Sequence, residues 1–129
     1  MNLPEDLKYS KEHEWVRVNG KQATFGITDY AQDKLGEIVF VELPGEGEEF
    51  GKDETFGVVE SVKSVNDIYA PLSCRVLEVN DPVVESPELL NEEPYTEGWL
   101  IKVEITDPAE LKELMGAKEY EAYLKEEGE

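Results

Sequence analysis

The 129-residue sequence has one cysteine, one histidine, and only 12 lysines and arginines against 31 aspartates and glutamates. Each shortage excludes something. A single thiol, Cys74, cannot form an intrachain disulfide, and no cysteine-rich metal site can be built. His13 alone supports neither a Ser–His–Asp set nor a histidine-rich metal cluster, and no glycine-rich phosphate loop is present. The net charge of −19 repels phosphate backbones and anionic lipid, so nucleic acid and membrane are not expected partners. Basic protein partners are favoured, because opposite fields steer encounter. The longest strongly apolar run, Ile38 to Val41, is far short of a membrane span. The start, MNLPEDLKYSKEHEW, lacks a basic n-region and an apolar h-region, so no signal peptide is expected. A reducing, cytoplasmic setting fits all of this.

What is present reads as one domain over 1–129, made of short strands with helices at the end. Trp15 to Val18 and Ala23 to Thr28 are β-like, and Asn19-Gly20 between them predicts a type I′ hairpin turn. Asp29 to Gln32 reads as a capping box that opens a short helix, and Gly36 ends it in the left-handed conformation. Glu37 to Leu43 reads as a strand buried on both faces. Pro44 to Gly51 is a loop; Thr55 to Ser61 and Val65 to Tyr69 are paired strands; Arg75 to Asn80 is another strand. Asp81 to Gly98 holds three prolines and reads as mostly loop, with a short turn at Glu88 to Leu90. Trp99 to Ile105 alternates as a half-buried strand. Asp107, Pro108 and Glu110 open a helix whose stripe is Leu111, Leu114 and Met115. Tyr120, Tyr123 and Leu124 continue that spacing, and 126–129 read as a frayed tail. Phe25-Gly26-Ile27 and Phe56-Gly57-Val58 hint at two related halves.

One lysine stands out. Lys63 sits between the 55–61 and 65–69 strands, and the turn around Val62 has none of the usual hairpin residues. Most lysines are ordinary surface groups. Here a β-branched residue stands beside a long charged one, and Glu60, Ser61 and Ser64 leave a small, open rim. A flexible stem ending in an amine at a rigid tip suits covalent attachment of a cofactor. The acidic side chains offer no acid–base pair beyond chance, so a catalyst is the weaker reading.

These residues resemble a known family. ESVKS at 60–64, then Asp67 and Ala70-Pro71, is similar to the lipoyl-attachment hairpin of the glycine cleavage system H proteins. HEWV at 13–16, GITDYAQDKLGEIVFVELP at 26–44, LLN at 89–91, PY at 94–95, GW at 98–99 and LMGAKEY at 114–120 agree in order. The resemblance implies a flattened β-barrel sandwich hybrid of the lipoyl/biotinyl-carrier type, with a lipoyl-binding core over 22–104 and a C-terminal helical segment over 107–126. It implies lipoic acid in amide linkage to Lys63, with Glu60, Ser61, Val62 and Ser64 as the recognised surroundings. It also implies a non-catalytic carrier. The arm takes an aminomethyl group from glycine decarboxylase (P protein) and delivers it to aminomethyltransferase (T protein). Dihydrolipoamide dehydrogenase (L protein) then reoxidises it, and a lipoate ligase or lipoyl transferase attaches the cofactor. Glu14 and Asp67 become candidates for a pocket that protects the loaded arm.

Two departures accompany the match. Cys74 stands where such proteins usually have glycine, so the backbone there is expected to differ, and an isolated buried thiol is expected to be inert. Glu12 replaces a smaller polar residue. Biotin carriers typically show Met-Lys-Met and acyl-carrying lipoyl domains Asp-Lys-Ala, neither of which is Val62-Lys63-Ser64. An H-like protein that relays lipoate or acts as a scaffold is the remaining alternative.

Overall fold

The alternating segments form two antiparallel sheets that face each other. The structure, a computed structural model, describes residues 1–127. The larger sheet runs in the order β1 (Lys8–Tyr9), β2 (Glu14–Asn19), β3 (Gln22–Ile27), β9 (Ile101–Ile105), β8 (Cys74–Val79) and β5 (Glu49–Phe50). The smaller runs β4 (Ile38–Glu42), β6 (Thr55–Ser61) and β7 (Val65–Tyr69). Helix α1 (Asp29–Leu35) leads from the large sheet to the small one, and α2 (Asp81–Glu85) and α3 (Leu89–Glu92) lie between β8 and β9. A 3-10 helix (Pro108–Glu113) and α4 (Ala117–Glu126) follow β9. The expected flattened sandwich with C-terminal helices is therefore present. The tail expected over 126–129 reaches α4 at its start, and Gly128 and Glu129 lie outside the described residues.

Successive strand residues point to opposite faces, and the large sheet uses both. Val16 joins the main core between the sheets, while its neighbour Trp15 joins a second cluster with Leu7, Tyr9, Tyr95, Tyr120 and Leu124. Tyr9 and Tyr120 stack there at 4.8 Å, which docks α4 onto the sheet. The two Phe-Gly pairs do matching work in the main core. The Phe25 and Phe56 rings meet 6.1 Å apart. Each glycine permits a close approach. A Cβ on Gly26 would overlap the Trp15 ring, and one on Gly57 would lie 2.7 Å from the Glu42 carbonyl oxygen.

Several local expectations are corrected. Asn19 pairs with Gln22, so the turn is Gly20-Lys21, and only Gly20 has positive φ. A glycine in the first turn position is the II′ pattern. Thr28, not Asp29, caps α1: its hydroxyl accepts the Ala31 N–H at 3.1 Å. Asp29 instead accepts from the Gln32 side-chain amide at 2.8 Å. Gly36 ends α1 with φ 78° but an extended ψ of −154°. Strand β4 is not buried on both faces: Ile38 and Val41 are buried, but Val39 and Phe40 are exposed, because a bulge interrupts the register between Ile38 and Phe40. The 81–98 stretch holds two helices, since Pro82 sits at a helix start, where its missing N–H costs nothing. Glu110 does not close a capping box. Its carboxylate accepts from the Ser73 N–H and hydroxyl at 2.7 and 2.8 Å, and the segment is 3-10 rather than α. Cys74 lies in an ordinary strand without positive φ, fully buried, with its thiol pushed up to about 12 by burial and by Glu110.

The Gly26–Trp15 approach yields a stability test. Gly26→Ala is expected to lower unfolding stability by about 1–3 kcal/mol, the cost of overpacking a rigid ring. Urea denaturation measures it, with Gly45→Ala on an exposed loop as the comparison. Equal midpoints for Gly26→Ala and the parent chain would show that the Trp15 seat is not tight.

Candidate functional site

The β6–β7 hairpin turns over Val62, Lys63 and Ser64. Its turn is built by a hydroxyl rather than by residues that tolerate positive φ. Ser61 Oγ accepts the Lys63 N–H at 3.3 Å and the Ser64 N–H at 3.2 Å, while the Ser61 N–H donates to the Ser64 carbonyl at 2.8 Å. Ser61 is itself buried. A serine turn of this kind replaces the missing Asn-Gly signal. The Val62 N–H donates to the Glu37 carbonyl at 3.0 Å, which ties the tip to the chain just before β4. Asn66 Nδ2 donates to Ser64 Oγ at 2.9 Å. Glu60 lies in register with Phe40 on one side and Val65 on the other. Ser61, Val62 and Ser64 thus shape the tip, and Glu60 stands one strand position behind it.

Lys63 is exposed, and its stem rests over the end of α1. A Cβ on Gly36 would stand 3.5 Å from Lys63 Cε, an ordinary van der Waals contact, so the stem passes directly over this residue. Beside that point, Leu35 forms part of the wall of a cavity of about 400 Å³. Ile27, Val59 and Ile68 supply further apolar wall, and Tyr30 and Tyr123 add aromatic wall. Glu14 and Asp67 both line this cavity, though 53 positions separate them in sequence. They differ in setting. Asp67 is exposed, whereas Glu14 is 3 % exposed, with one oxygen accepting from Ser10 Oγ at 2.6 Å and the other from the Tyr69 N–H at 3.2 Å. Burial pushes the Glu14 carboxyl up to about 7, against the pull of those two hydrogen bonds. Glu12 and Asp53 add a smaller push in the same direction.

His13 was singled out only as a lone histidine, and its part in the wall depends on the fold. Its φ is 74°, a region that histidine visits more readily than most residues. Nδ1 lies 2.8 Å from the Tyr120 hydroxyl, which lies 2.9 Å from Thr28 Oγ1, the cap of α1. The ring packs 4.7 Å from Tyr30 and 6.2 Å from Tyr123. Burial lowers the His13 pKa, so the ring is neutral at neutral pH. This chain of contacts joins α4, β2 and α1 around one cavity. No short motif signals Ser10, Tyr30 or Tyr123, because they meet only when these elements pack. Among the described residues, no group of three or more His, Cys, Asp or Glu could hold a metal, and no helix is long and apolar enough to cross a membrane.

Comparison with known proteins bears on this arrangement. The family profile described as Glycine cleavage H-protein matches residues 7–127. The chain is 58 % identical over 127 residues to the glycine cleavage system H protein of Carboxydothermus hydrogenoformans, covering 98 % of each chain. It is 57 % identical over 125 residues to that of Symbiobacterium thermophilum, covering 97 % of this chain and 98 % of the relative. A solved structure of a glycine cleavage system H protein from Mycobacterium marinum superposes with a TM-score of 0.86 at 37 % identity, over 98 % of this chain and all of that one. On sequence and fold together, the chain belongs to the glycine cleavage H-protein family.

Proposed function

We propose that the protein is the lipoyl carrier of glycine cleavage, with lipoate on Lys63. The observation that carries this is the shared end of α1. The stem of an exposed lysine rests there, and a cavity with a buried acid begins there. The residues suit the group. Lys63 is exposed, Leu35, Ile27, Val59 and Ile68 give the cavity apolar wall, and Glu12, Glu14 and Asp67 line it together with Lys11 and Lys34. When bound, lipoate supplies a disulfide that accepts the aminomethyl group of glycine and is afterwards reoxidised from the dithiol.

The chain's own residues hold, shield and release. Ser61 and Glu37 keep the root of the arm fixed, so its sweep starts from one point. Ile27, Leu35, Val59 and Ile68 can cover the stem and exclude water from the loaded end, which hydrolysis would otherwise destroy. Glu14, with Asp67 at the rim, can face the terminal ammonium. As a carrier the chain acts as substrate for glycine decarboxylase, aminomethyltransferase and dihydrolipoamide dehydrogenase in turn. A lipoate ligase or lipoyl transferase would load it, in the cytoplasm with those enzymes. A bare lipoate relay would need the tip but not the cavity with its buried acid, which favours the carrier.

Two experiments follow from this reading. Incubation with a lipoate ligase, lipoate and ATP is expected to add one lipoyl group, at Lys63 only, and Lys63→Arg is expected to remain unmodified. Peptide mass mapping reads this, and an adduct on the arginine variant would refute the assignment. The second concerns Glu14, whose ordinary carboxyl pKa is raised to about 7. Below that value it is mostly neutral and gives an ammonium little; above it the carboxylate forms. The lifetime of the loaded protein without aminomethyltransferase, measured by ammonia release, should fall roughly tenfold in Glu14→Gln at about pH 8. The ratio of parent to variant lifetime should shrink as pH drops through about 7. Asp67→Asn should have a smaller effect, because water screens an exposed carboxylate. Identical decay in the parent and Glu14→Gln at every pH would remove Glu14 from the pocket's work.

A further inference from the structure

The run Ile38-Val39-Phe40-Val41 predicts burial that half of it does not receive. The bulge between Ile38 and Phe40 leaves Val39 48 % and Phe40 47 % exposed. Across the small sheet, Phe40 is in register with Glu60, and Glu60 with Val65, so the three side chains share one face. Two strand spacings, about 10 Å, separate Phe40 from Val65. Val62 is bonded through its N–H to Glu37, at the start of the same edge. Val62 and Val65 are 67 % and 65 % exposed, the most exposed large apolar side chains among the described residues. Val62 and Val65 thus flank the Lys63 tip in sequence, and Val39 and Phe40 lie on the neighbouring β4 edge.

Folding does not call for them. Strands β4 and β7 are the two edges of the small sheet, and apolar residues on exposed edges invite aggregation. Polar β-formers would hold the same strands at less risk. Glu42 and Asp67, both in register with Val58, are exposed in the next row of this face, and Glu37 is exposed just before the β4 edge. Apolar side chains set among carboxylates, with Glu60 between Phe40 and Val65, call for a partner that offers both apolar and basic groups.

We infer that the β4 edge, through Val39 and Phe40, docks the enzyme that forms the amide on Lys63, and that this enzyme presents an apolar mouth rimmed by lysine or arginine. The inference rests on Lys63 being the lipoylated residue. The geometry selects this occupant. An enzyme working on the far end of a modified lysine can stand an arm's length from the tip. One that acylates Nζ must bring an activated carbonyl to bonding distance of the unextended side chain, so its mouth must cover the ground around the lysine. In that step the neutral amine attacks the carbonyl carbon of an acyl adenylate. The C–N bond forms, the C–O bond to phosphate breaks, the nucleotide leaves with the electron pair, and the amine's proton passes to a base of the enzyme or to water.

Steady-state lipoylation of the full chain by a lipoate ligase, with lipoate and ATP, tests this. The variants are Val39→Thr, Phe40→Thr and the double change, since threonine keeps the strand preference. Val18→Thr, an exposed valine on β2, is the control. The double variant is expected to raise KM for the protein about tenfold with kcat little changed, the loss expected when an apolar docking contact is removed. The control should stay within about twofold, and KM for the parent should rise with salt as the carboxylates are screened. A double variant with parental thermal unfolding and parental KM would overturn the docking surface and leave Lys63 as the site. No modification of the parent chain would overturn the lipoyl reading itself.

Discussion

The side-chain amide of Asn91 accepts the Ile38 N–H at 3.0 Å and donates to the Gly36 carbonyl at 2.8 Å and to Gln32 Oε1 at 3.0 Å. One residue of α3 thereby joins the last turn of α1 to the first residue of β4. Glu37 lies between those two anchor points, and its carbonyl receives the Val62 N–H. The position of the lysine tip relative to α1 thus depends on a short segment clamped from the far side by an amide. An unpartnered polar group away from water costs about 1–3 kcal/mol, so losing this amide would loosen both ends of the segment. The stem of Lys63 rests on Gly36 inside that clamp, and the wall of the cavity begins at the adjacent Leu35. Lys63 and the cavity wall are therefore held in fixed relation by the Asn91 side chain and the Val62–Glu37 backbone bond.

Glu14 shows how the rest of the molecule tolerates its site. The chain carries a net charge of −19, yet this carboxyl is 3 % exposed and is raised to about 7. A folded pKa above the unfolded one means that protonation favours the folded state. The contribution is fully present below the unfolded value and is lost as pH rises through about 7. Ionising Glu14 in the free chain therefore works against stability, by about 3 kcal/mol at most. Hydrogen bonds from Ser10 and the Tyr69 N–H offset part of the cost of burying its charge. An ammonium entering the cavity would offset more, which makes a destabilising carboxylate into a receptor for a cation.

Much of the fold was legible because it rests on short-range rules. The hairpin around Gly20 follows from its turn glycine, the strands of the β6–β7 pair and the alternation of β9 from period-two patterning, and α1 from its cap residues. The errors have physical causes. Thr28 and Asp29 are both good caps, and only the packed structure turns Asp29 toward Gln32. Prolines in 81–98 read as breakers, although Pro82 opens a helix. Glu110 was assigned to its own helix start, but its partners, the Ser73 N–H and hydroxyl, lie 37 positions away. A bulge adds one residue to one strand and leaves no mark in composition, so the exposure of Val39 and Phe40 could not be read from an apolar run. At the site, Lys63 stood out through the oddness of its turn. The pairing of Glu14 with Asp67 came from resemblance, and Ser10, Tyr30 and Tyr123 required the fold.

A carrier has two needs that oppose each other: the loaded end must be hidden, and it must leave. Tight burial would satisfy the first and defeat the second, since every 1.4 kcal/mol of closure slows opening about tenfold. The geometry here divides the tasks. The tip is held by Ser61 and the Glu37 carbonyl, so an arm on Lys63, as proposed, would swing from a fixed root. The cavity is only half enclosed by side chains: Lys34, Asn66 and Asp67 on its lining are exposed, and Tyr30 and Tyr123 are half-buried. The strongest attraction it can offer comes from Glu14, a carboxyl poised near neutrality and already engaged by two donors. Such a group holds a cation less firmly than a fully ionised, unengaged one would. On the proposed role of Glu14, closure would be moderate, set by how far this carboxyl is buried and by what else its oxygens bind.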